Sequence, residues 1–120
     1  MNMNMNMTNV CICFHQTSPE SALGIFHGGG RMLPGSIGLA GGGIYFAESA
    51  ADTQRKAKHH GVLLECAVAR GQSLELGPDG DPSMSRERLA RLALDSVIVN
   101  RANGRELVVY ESARVQVGDG

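Results

Sequence analysis

The sequence predicts an α+β domain, on three observations. Short runs of apolar and β-branched residues recur along the chain, and such runs are typical of strands. Two segments, 17–28 and 85–94, begin with a hydroxyl residue that can cap a helix and carry apolar residues at helical spacing. Glycine-rich turns separate these segments, and Asn103-Gly104 is a strong hairpin signal. The length of 120 residues suits one domain with one core.

Composition narrows the class of protein. Hydrophobic residues make up 42% of the chain, as in globular proteins, and the formal net charge is −1. This charge gives no argument for nucleic-acid or membrane binding. The sequence contains no secretory signal pattern and no apolar run of membrane-spanning length. We therefore expect a protein without a membrane partner that acts in the cytoplasm, either of its own cell or, as a secreted effector or toxin, of a target cell. We also expect a monomer.

The three cysteines, Cys11, Cys13 and Cys66, have no spacing that is typical of a zinc site. Cys11 and Cys13 should share one face of a strand, because they are two positions apart. We expect all three to be free, buried thiols in a reducing compartment, and we expect no metal site.

The chain begins with an alternation of Met and Asn over residues 1–9, which predicts a disordered leader or an artificial extension. The single predicted domain covers residues 10–120. Its first strand is 10–14, and Thr17 is predicted to cap a helix that ends at the glycines from Gly28.

A glycine-rich loop over residues 31–43 follows, and Ile44–Ala47 is the second predicted strand. Ser49 is predicted to cap a polar helix that runs to His60, and residues 62–69 form a nearly continuous apolar strand. The remaining predicted elements are a strand at 74–76, a helix at 85–94, and strands at 97–99, 106–110 and 115–117.

Polar and aromatic residues stand at strand ends in three segments. The segments are Phe14-His15-Gln16-Thr17-Ser18, Gly42-Gly43-Ile44-Tyr45-Phe46-Ala47 and Gly104-Arg105-Glu106-Leu107-Val108-Val109-Tyr110. An imidazole, a phenol and a carboxylate in such places can converge on a ligand at the rim of a sheet. Each alone is more often structural: a core tyrosine, a satisfied histidine or a solvent-facing glutamate.

Together these segments resemble the catalytic domain of the poly(ADP-ribose) polymerase superfamily, the diphtheria-toxin-like ADP-ribosyltransferases. That family carries a His-Tyr-Glu triad in this order, with the tyrosine in a Gly-x-Gly-Ile-Tyr-Phe-Ala stretch. The matching residues here are His15, Tyr45 and Glu106, and the resemblance covers about residues 10–117. It implies the ADP-ribosyltransferase fold, with two small abutting antiparallel sheets, flanking helices and an NAD cleft.

The resemblance also implies roles for these residues, with NAD as co-substrate. Glu106 would bond the 2′-hydroxyl of the nicotinamide ribose and stabilise positive charge as the glycosidic bond breaks. Tyr45 would stack on the nicotinamide ring, His15 would bond the adenosine-side ribose, and the backbone of Gln16 would hold the nicotinamide amide.

The resemblance implies further NAD-binding positions, at some of which this sequence has a different residue from the family. Thr53 stands where a serine is usual, and Lys56 stands where a second stacking tyrosine is usual. Arg31 is a candidate for the adenosine or the diphosphate, with a solvated arginine as the alternative. The full set of expected NAD-binding residues is His15, Gln16, Thr17, Arg31, Gly43, Tyr45, Thr53 and Lys56.

The function expected from the resemblance is mono-ADP-ribosylation of a macromolecular acceptor, with protein favoured over nucleic acid. The alternatives are an RNA- or DNA-modifying transferase, an NAD glycohydrolase toxin, and an inactive module that binds NAD or ADP-ribose. The basic helix end Arg55–His60 is the one feature that favours a nucleic-acid acceptor. Its other interpretation is a favourable arrangement of cations at a helix C-terminus.

Overall fold

A computed structural model describes residues 6–56 and 61–118, and it confirms the α+β class. The described strands are β1 Val10–Thr17, β2 Ile44–Ala47, β3 Val62–Ala69, β4 Ser73–Leu76, β5 Ser96–Arg101, β6 Gly104–Val109 and β7 Val115–Val117. The described helices are α1 Pro19–His27, α2 Ala50–Lys56 and α3 Arg86–Arg91, with a 3-10 turn at Ser112–Arg114. Within this part of the chain, none of the helices has the length and apolar character needed to cross a membrane.

The cap of α1 lies one residue later than the sequence predicts. Ser18, not Thr17, precedes the helix, and its hydroxyl accepts a hydrogen bond of 3.2 Å from the backbone N–H of Ser21. Pro19 occupies the first helical position, where its fixed φ suits the helix and its missing N–H is not needed. Thr17 instead completes β1, because it is paired with Val62 of β3.

The end of the first strand also differs from the prediction, for a related reason. The first strand was predicted to end at Phe14, but β1 continues to Thr17 because it pairs with β3 over its whole length. The predicted cap of α2 is confirmed, because the hydroxyl of Ser49 accepts a hydrogen bond of 3.1 Å from the N–H of Asp52, and the helix is described from Ala50 to Lys56. Residues 57–60 and the side chains of Arg55 and Lys56 lie outside the described part of the structure.

The seven described strands form one mixed sheet in the order β4-β5-β6-β2-β1-β3-β7, with β4 and β5 parallel and the other neighbours antiparallel. The structure therefore shows one mixed sheet where the resemblance implies two small abutting antiparallel sheets. The sheet nevertheless has two halves, because β1 and β2 share a single residue pair, Phe14 with Ala47. By comparison, β2 and β6 share four pairs, and β1 and β3 share eight.

Hydrophobic clusters lie on both faces of the sheet. One face carries Cys13, Phe46, Leu64, Cys66, Val68 and Leu107, with Met32 and Ile25 packed over it. The other face carries Val97, Val99, Val108 and Tyr110, covered by Ala40, Met84 and Leu89. The alternation of β5 and β6 explains this division, because successive side chains of a strand point to opposite faces.

A buried arginine, Arg114, ties together four distant segments. One of its guanidinium nitrogens donates to the backbone oxygens of Asn6, at 2.5 Å, and Ala69, at 3.0 Å. Another lies 3.0 Å from a carboxylate oxygen of Asp95, and Nε lies 3.4 Å from Glu111. The residue is 5% exposed, so these partners replace the water that an arginine normally retains.

Residues 6–9, which the sequence assigns to the leader, make defined contacts with the domain. The side-chain nitrogen of Asn9 donates to the carbonyl of Gly71 at 2.8 Å, and the N–H of Gly71 donates to the carbonyl of Thr8 at 2.9 Å. Arg114 binds the carbonyl of Asn6 from the other side. These four residues therefore extend the packed part of the chain before Val10.

Replacing Arg114 with methionine should lower the free energy of unfolding by about 3 kcal/mol or more, because Asp95 and Glu111 would lose a buried counterion. Urea unfolding followed by circular dichroism measures this loss. The matched control is Arg91→Met at an exposed position of α3, with an expected change within about 0.5 kcal/mol. Equal unfolding midpoints for the two variants would contradict a structural role for Arg114.

Candidate functional site

Three neighbouring strands place His15, Tyr45 and Glu106 close to Ala47. Ala47, the last residue of β2, is paired with Phe14 of β1 on one side and with Glu106 of β6 on the other. His15 follows Phe14, and Tyr45 lies two positions before Ala47. The backbone positions of the three residues therefore fall within two residues of a single row that crosses the sheet.

The ring of His15 is turned toward β2. Its Nδ1 lies 2.8 Å from the carbonyl oxygen of Tyr45, and the ring meets that of Phe46 edge-on, with centroids 6.0 Å apart. Because a carbonyl oxygen can only accept a hydrogen bond, Nδ1 must carry the hydrogen. In the neutral ring this tautomer leaves Nε2 as an acceptor.

The three side chains do not all lie on one face of the sheet. Tyr45 is paired with Val108 and packs in its cluster, and strand alternation places Glu106 on the same face. His15 contacts Phe46, whose cluster lies on the opposite face. The contact of His15 with Tyr45 is therefore with its backbone carbonyl and not with its ring. It lies next to Phe14 and Ala47, the single pair that joins β1 to β2.

The hydroxyl of Tyr45 binds the last part of the glycine-rich loop, residues 38–43. It accepts a hydrogen bond of 2.8 Å from the N–H of Ala40 and donates one of 2.6 Å to the carbonyl of Gly41. The hydroxyl of Tyr110 donates to the carbonyl of Ala40 at 2.5 Å. Burial raises the pKa of both tyrosines, so both hydroxyls keep the protons that they donate.

The glycines of this loop are required by contacts inside the protein. A Cβ on Gly38 would collide with the hydroxyl of Tyr45, and a Cβ on Gly43 would lie 2.6 Å from the side chain of Val108. Packing inside the protein therefore accounts for glycine at both positions. The loop packs directly on β6 and on the tyrosine that binds it.

Glu106 borders a cavity of about 250 Å³, which we call the β1–β6 slot. The slot forms because β2 ends at Ala47, whereas the first residues of β1 and β6 continue past that end on either side. Its polar lining consists of Cys11, Cys13, Glu48, Arg70, Arg105 and Glu106. Neither His15 nor Tyr45 is among its lining residues.

The charges around the slot are arranged in pairs. Arg101 lies 3.8 Å from Glu106, whose side chain is 14% exposed, and Arg105 lies 3.7 Å from the exposed Glu48. The carboxylate of Glu106 is therefore largely enclosed and held beside a cation. Such a group supplies a fixed negative charge on the face of the sheet that Tyr45 shares.

The other residues expected to bind NAD are dispersed. Thr53 is buried, and its hydroxyl donates to the carbonyl of Ala50 at 2.6 Å within α2. Arg31 is exposed, and its Nε donates to the hydroxyl of Ser112 at 3.1 Å. The backbone of Lys56 is helical. Its side chain, which stands where the family usually has a second stacking tyrosine, lies outside the described part of the structure.

Gln16 differs from these residues because part of its side chain lacks a partner. It pairs with Leu63 in the β1–β3 ladder, so its backbone belongs to the sheet. Its Oε1 is buried and has no hydrogen-bond partner within the described part of the chain. A buried acceptor without a partner is costly, and a ligand N–H is one group that could satisfy it.

The structure does not show the expected NAD cleft. The β1–β6 slot, at about 250 Å³, is smaller than most ligand pockets, whose volumes are about 300–1,000 Å³. Of the expected triad, Glu106 alone is among its lining residues. A second cavity of about 430 Å³ lies elsewhere, beside α3, Tyr110 and Arg114. Among the residues of 6–56 and 61–118, no group of three or more His, Cys, Asp or Glu side chains could hold a metal ion.

Comparison with known proteins identifies no relative: no protein-family model matches this chain, and no curated protein sequence matches it.

Sequence reasoning did not single out Tyr110, Glu48 or Arg70, although all three border the candidate site or its loop. Tyr110 had a signal in the sequence, because it stands four positions after Glu106 and shares its face of β6. Glu48 and Arg70 had none, because each follows the end of a strand and becomes part of the slot only through sheet pairing.

Replacing Tyr45 with phenylalanine should free the loop while it preserves the ring. The N–H of Ala40 would lose its acceptor, so its hydrogen exchange should become faster, by about fivefold for the loss of about 1 kcal/mol. Nuclear magnetic resonance measures this rate for single amides. Tyr110→Phe is the matched control, because it removes a donor to the carbonyl of Ala40 and leaves the N–H bonded. Unchanged exchange in Tyr45→Phe would show that the hydroxyl does not hold the loop.

Proposed function

We propose that this chain is an enzyme that cleaves the bond between nicotinamide and ribose in NAD. The observation that carries the proposal is the row Phe14–Ala47–Glu106, which places the backbones of His15, Tyr45 and Glu106 within two residues of one line across three strands. These residues are 30 and 61 positions apart in sequence (45 − 15 and 106 − 45). The closeness of their backbone positions supports the resemblance, although the side chain of His15 lies on the opposite face of the sheet from those of Tyr45 and Glu106.

The particular activity we propose is mono-ADP-ribosyl transfer to a protein acceptor, with release of nicotinamide. The ADP-ribosyltransferase fold is part of the proposal. The two half-sheets that meet at Phe14 and Ala47 support it, because they correspond in outline to the two abutting sheets of that fold. The short chain offers little surface for a polymer end, which favours single transfer. The proposed protein acts as a monomer inside a cell, where NAD and reduced thiols occur together.

The enclosed carboxylate of Glu106 suits this chemistry. When the glycosidic bond breaks, its electron pair leaves with the cationic nicotinamide, so the leaving group needs no acid. The ribose then carries developing positive charge, which a fixed carboxylate stabilises. Glu106 would also bond the 2′-hydroxyl of this ribose and orient the acceptor nucleophile toward the exposed carbon.

The remaining residues bind and position NAD in this proposal. The tautomer of His15 presents Nε2 as an acceptor for a ribose hydroxyl. The unpartnered Oε1 of Gln16 is a suitable acceptor for the amide of nicotinamide. Tyr45 is held in place by its bonds to the loop, so its ring is a rigid surface for stacking. Arg31 is exposed and able to contact the diphosphate.

The alternatives are separated by the fate of labelled NAD. Label on nucleic acid would favour an RNA or DNA acceptor, free ADP-ribose would favour a glycohydrolase, and unchanged but bound NAD would favour a binding module. No described residue favours any of these over protein modification. The side chains of the basic helix end Arg55–His60 lie outside the described residues.

Glu106→Gln should bind NAD within a few-fold of wild type but transfer ADP-ribose about a hundredfold more slowly, or worse. The ribose of bound NAD is neutral, so the lost charge matters mainly in the transition state. Calorimetric NAD titration and labelled-NAD transfer on one preparation measure both quantities. Glu48→Gln is the matched control, because it neutralises an exposed carboxylate of the same slot. Full transfer activity in Glu106→Gln would remove this residue from catalysis.

His15→Ala should weaken NAD binding about fivefold, the equivalent of one hydrogen bond of about 1 kcal/mol. The same titration measures this change, with circular dichroism to confirm that the fold survives the loss of the bond to Tyr45. His27→Ala, at the exposed end of α1, is the control and should leave affinity unchanged. If both histidine variants bind NAD as wild type does, His15 does not contact the dinucleotide.

A further inference from the structure

The cavity of about 430 Å³ beside α3, which we call the α3 cavity, has the size of a ligand site. Its volume falls within the range of about 300–1,000 Å³ that most ligand pockets have. None of the residues proposed above to bind NAD is among its described lining residues. Its lining combines an apolar wall with a group of charged side chains, and these two parts are considered in turn.

The helix α3 and the turn after it form the apolar wall, with Leu89, Ala90, Ala93 and Leu94. Leu89 is 2% exposed and belongs to the cluster that covers this face of the sheet, so the wall is anchored in the core. Tyr110 adds to the lining, and its hydroxyl donates to a backbone carbonyl of the glycine-rich loop. This side of the cavity therefore suits a hydrocarbon body.

Ala93 has a backbone conformation that alanine rarely adopts, with φ of 58°. Its N–H donates to the carbonyl of Ala90 and the N–H of Leu94 donates to that of Leu89, both at 3.0 Å. These two bonds define a helix end at which glycine is the usual residue, because it has no Cβ to clash. Alanine here brings strain, and it places a methyl group on a residue that lines the cavity. Strained residues of this kind cluster at functional sites.

The charged part of the lining is neutral in sum, with two cations and two anions: Arg86, Arg114, Asp95 and Glu111. Asp95 is fully engaged, because one carboxylate oxygen lies 3.0 Å from Arg114 and the other accepts from the N–H of Gln72 at 2.8 Å. Glu111 lies 3.4 Å from Nε of Arg114 and 3.8 Å from Arg86. Its carboxylate is 24% exposed and makes no hydrogen bond with any described residue.

The loose pair of Arg86 and Glu111 can take a polar group between its two charges. Their separation of 3.8 Å exceeds the length of about 2.7–2.9 Å of a charge-assisted hydrogen bond. A guanidinium can only donate and a carboxylate can only accept. A carboxamide, with its carbonyl oxygen and N–H side by side, can bond both at once. A ligand carboxylate would be repelled by Glu111, and a ligand ammonium would be repelled by Arg86.

We propose that the α3 cavity is a binding site for a small, uncharged carboxamide with an apolar body. The body lies against the wall formed by α3 and its following turn, and the amide group lies between Arg86 and Glu111. The inference goes beyond the proposed cleavage of NAD and does not depend on it, because it rests on other residues.

The test uses three probes with one cyclohexyl body: cyclohexanecarboxamide, cyclohexanecarboxylate and cyclohexylmethylammonium. Nuclear magnetic resonance follows the methyl signals of Ala90, Ala93 and Leu94 in the full chain. We expect the carboxamide to shift these signals saturably and to bind about tenfold more tightly than either charged probe, which lacks one of the two hydrogen bonds. Equal affinity for the three probes would overturn the proposal, and so would carboxamide shifts that are confined to residues outside the cavity.

Removing the methyl group of Ala93 tests the apolar wall. Ala93→Gly should bind cyclohexanecarboxamide about threefold more weakly, because one buried methyl contact is lost. The same change relieves the backbone strain, so the midpoint of urea unfolding should rise and loss of the fold cannot explain weaker binding. Wild-type affinity in Ala93→Gly would contradict the place of this wall in the site.

Removing either charge of the loose pair should change which probe binds best. In Arg86→Met the lining carries a net negative charge, and the ammonium should bind most tightly. In Glu111→Gln it carries a net positive charge, and the carboxylate should. Arg91→Met, at an exposed position of α3 outside the lining, is the matched control and should keep the wild-type order. Arg86 is 62% exposed, so its variant should fold, and a wild-type order of the probes in Arg86→Met would overturn the proposal.

Discussion

The structure depends on the length of β2, a strand of four residues that joins two halves of the sheet. It pairs with β6 over its full length and with β1 through Ala47 alone. A single pair transmits little backbone hydrogen bonding, so other contacts must hold the halves together. The bond from His15 to the carbonyl of Tyr45 lies at this junction, and the shared cluster around Phe46 packs beneath it.

The same short strand creates the features that make a site possible. Because β2 ends at Ala47, the beginnings of β1 and β6 lie on either side of an opening rather than of a strand. Side chains that a longer strand would separate therefore border one cavity, among them Glu106, Arg70 and Cys11.

Near the start of β2, hydrogen bonds from Tyr45 and Tyr110 hold the loop before the strand. The segment between α1 and β2 forms no strand or helix among its described residues, yet Ala40 is fully buried. Its N–H and its carbonyl are bound by Tyr45 and Tyr110, which accounts for backbone groups that would otherwise be costly to bury. A rigid loop of this kind fixes the ring of Tyr45, whatever ligand meets it.

Local chemistry in the sequence determined the identity of the elements: capping hydroxyls, glycine stops, β-branched runs and the Asn-Gly turn depend on neighbouring residues. The residue types of the candidate site, His15, Tyr45 and Glu106, were also readable there. Tertiary structure alone decided which strands are neighbours, that β2 touches β1 at a single pair, and that Arg114 is buried rather than solvated. These outcomes depend on pairs of residues far apart in the chain, and the free energy of a pair is fixed only when both partners are in place.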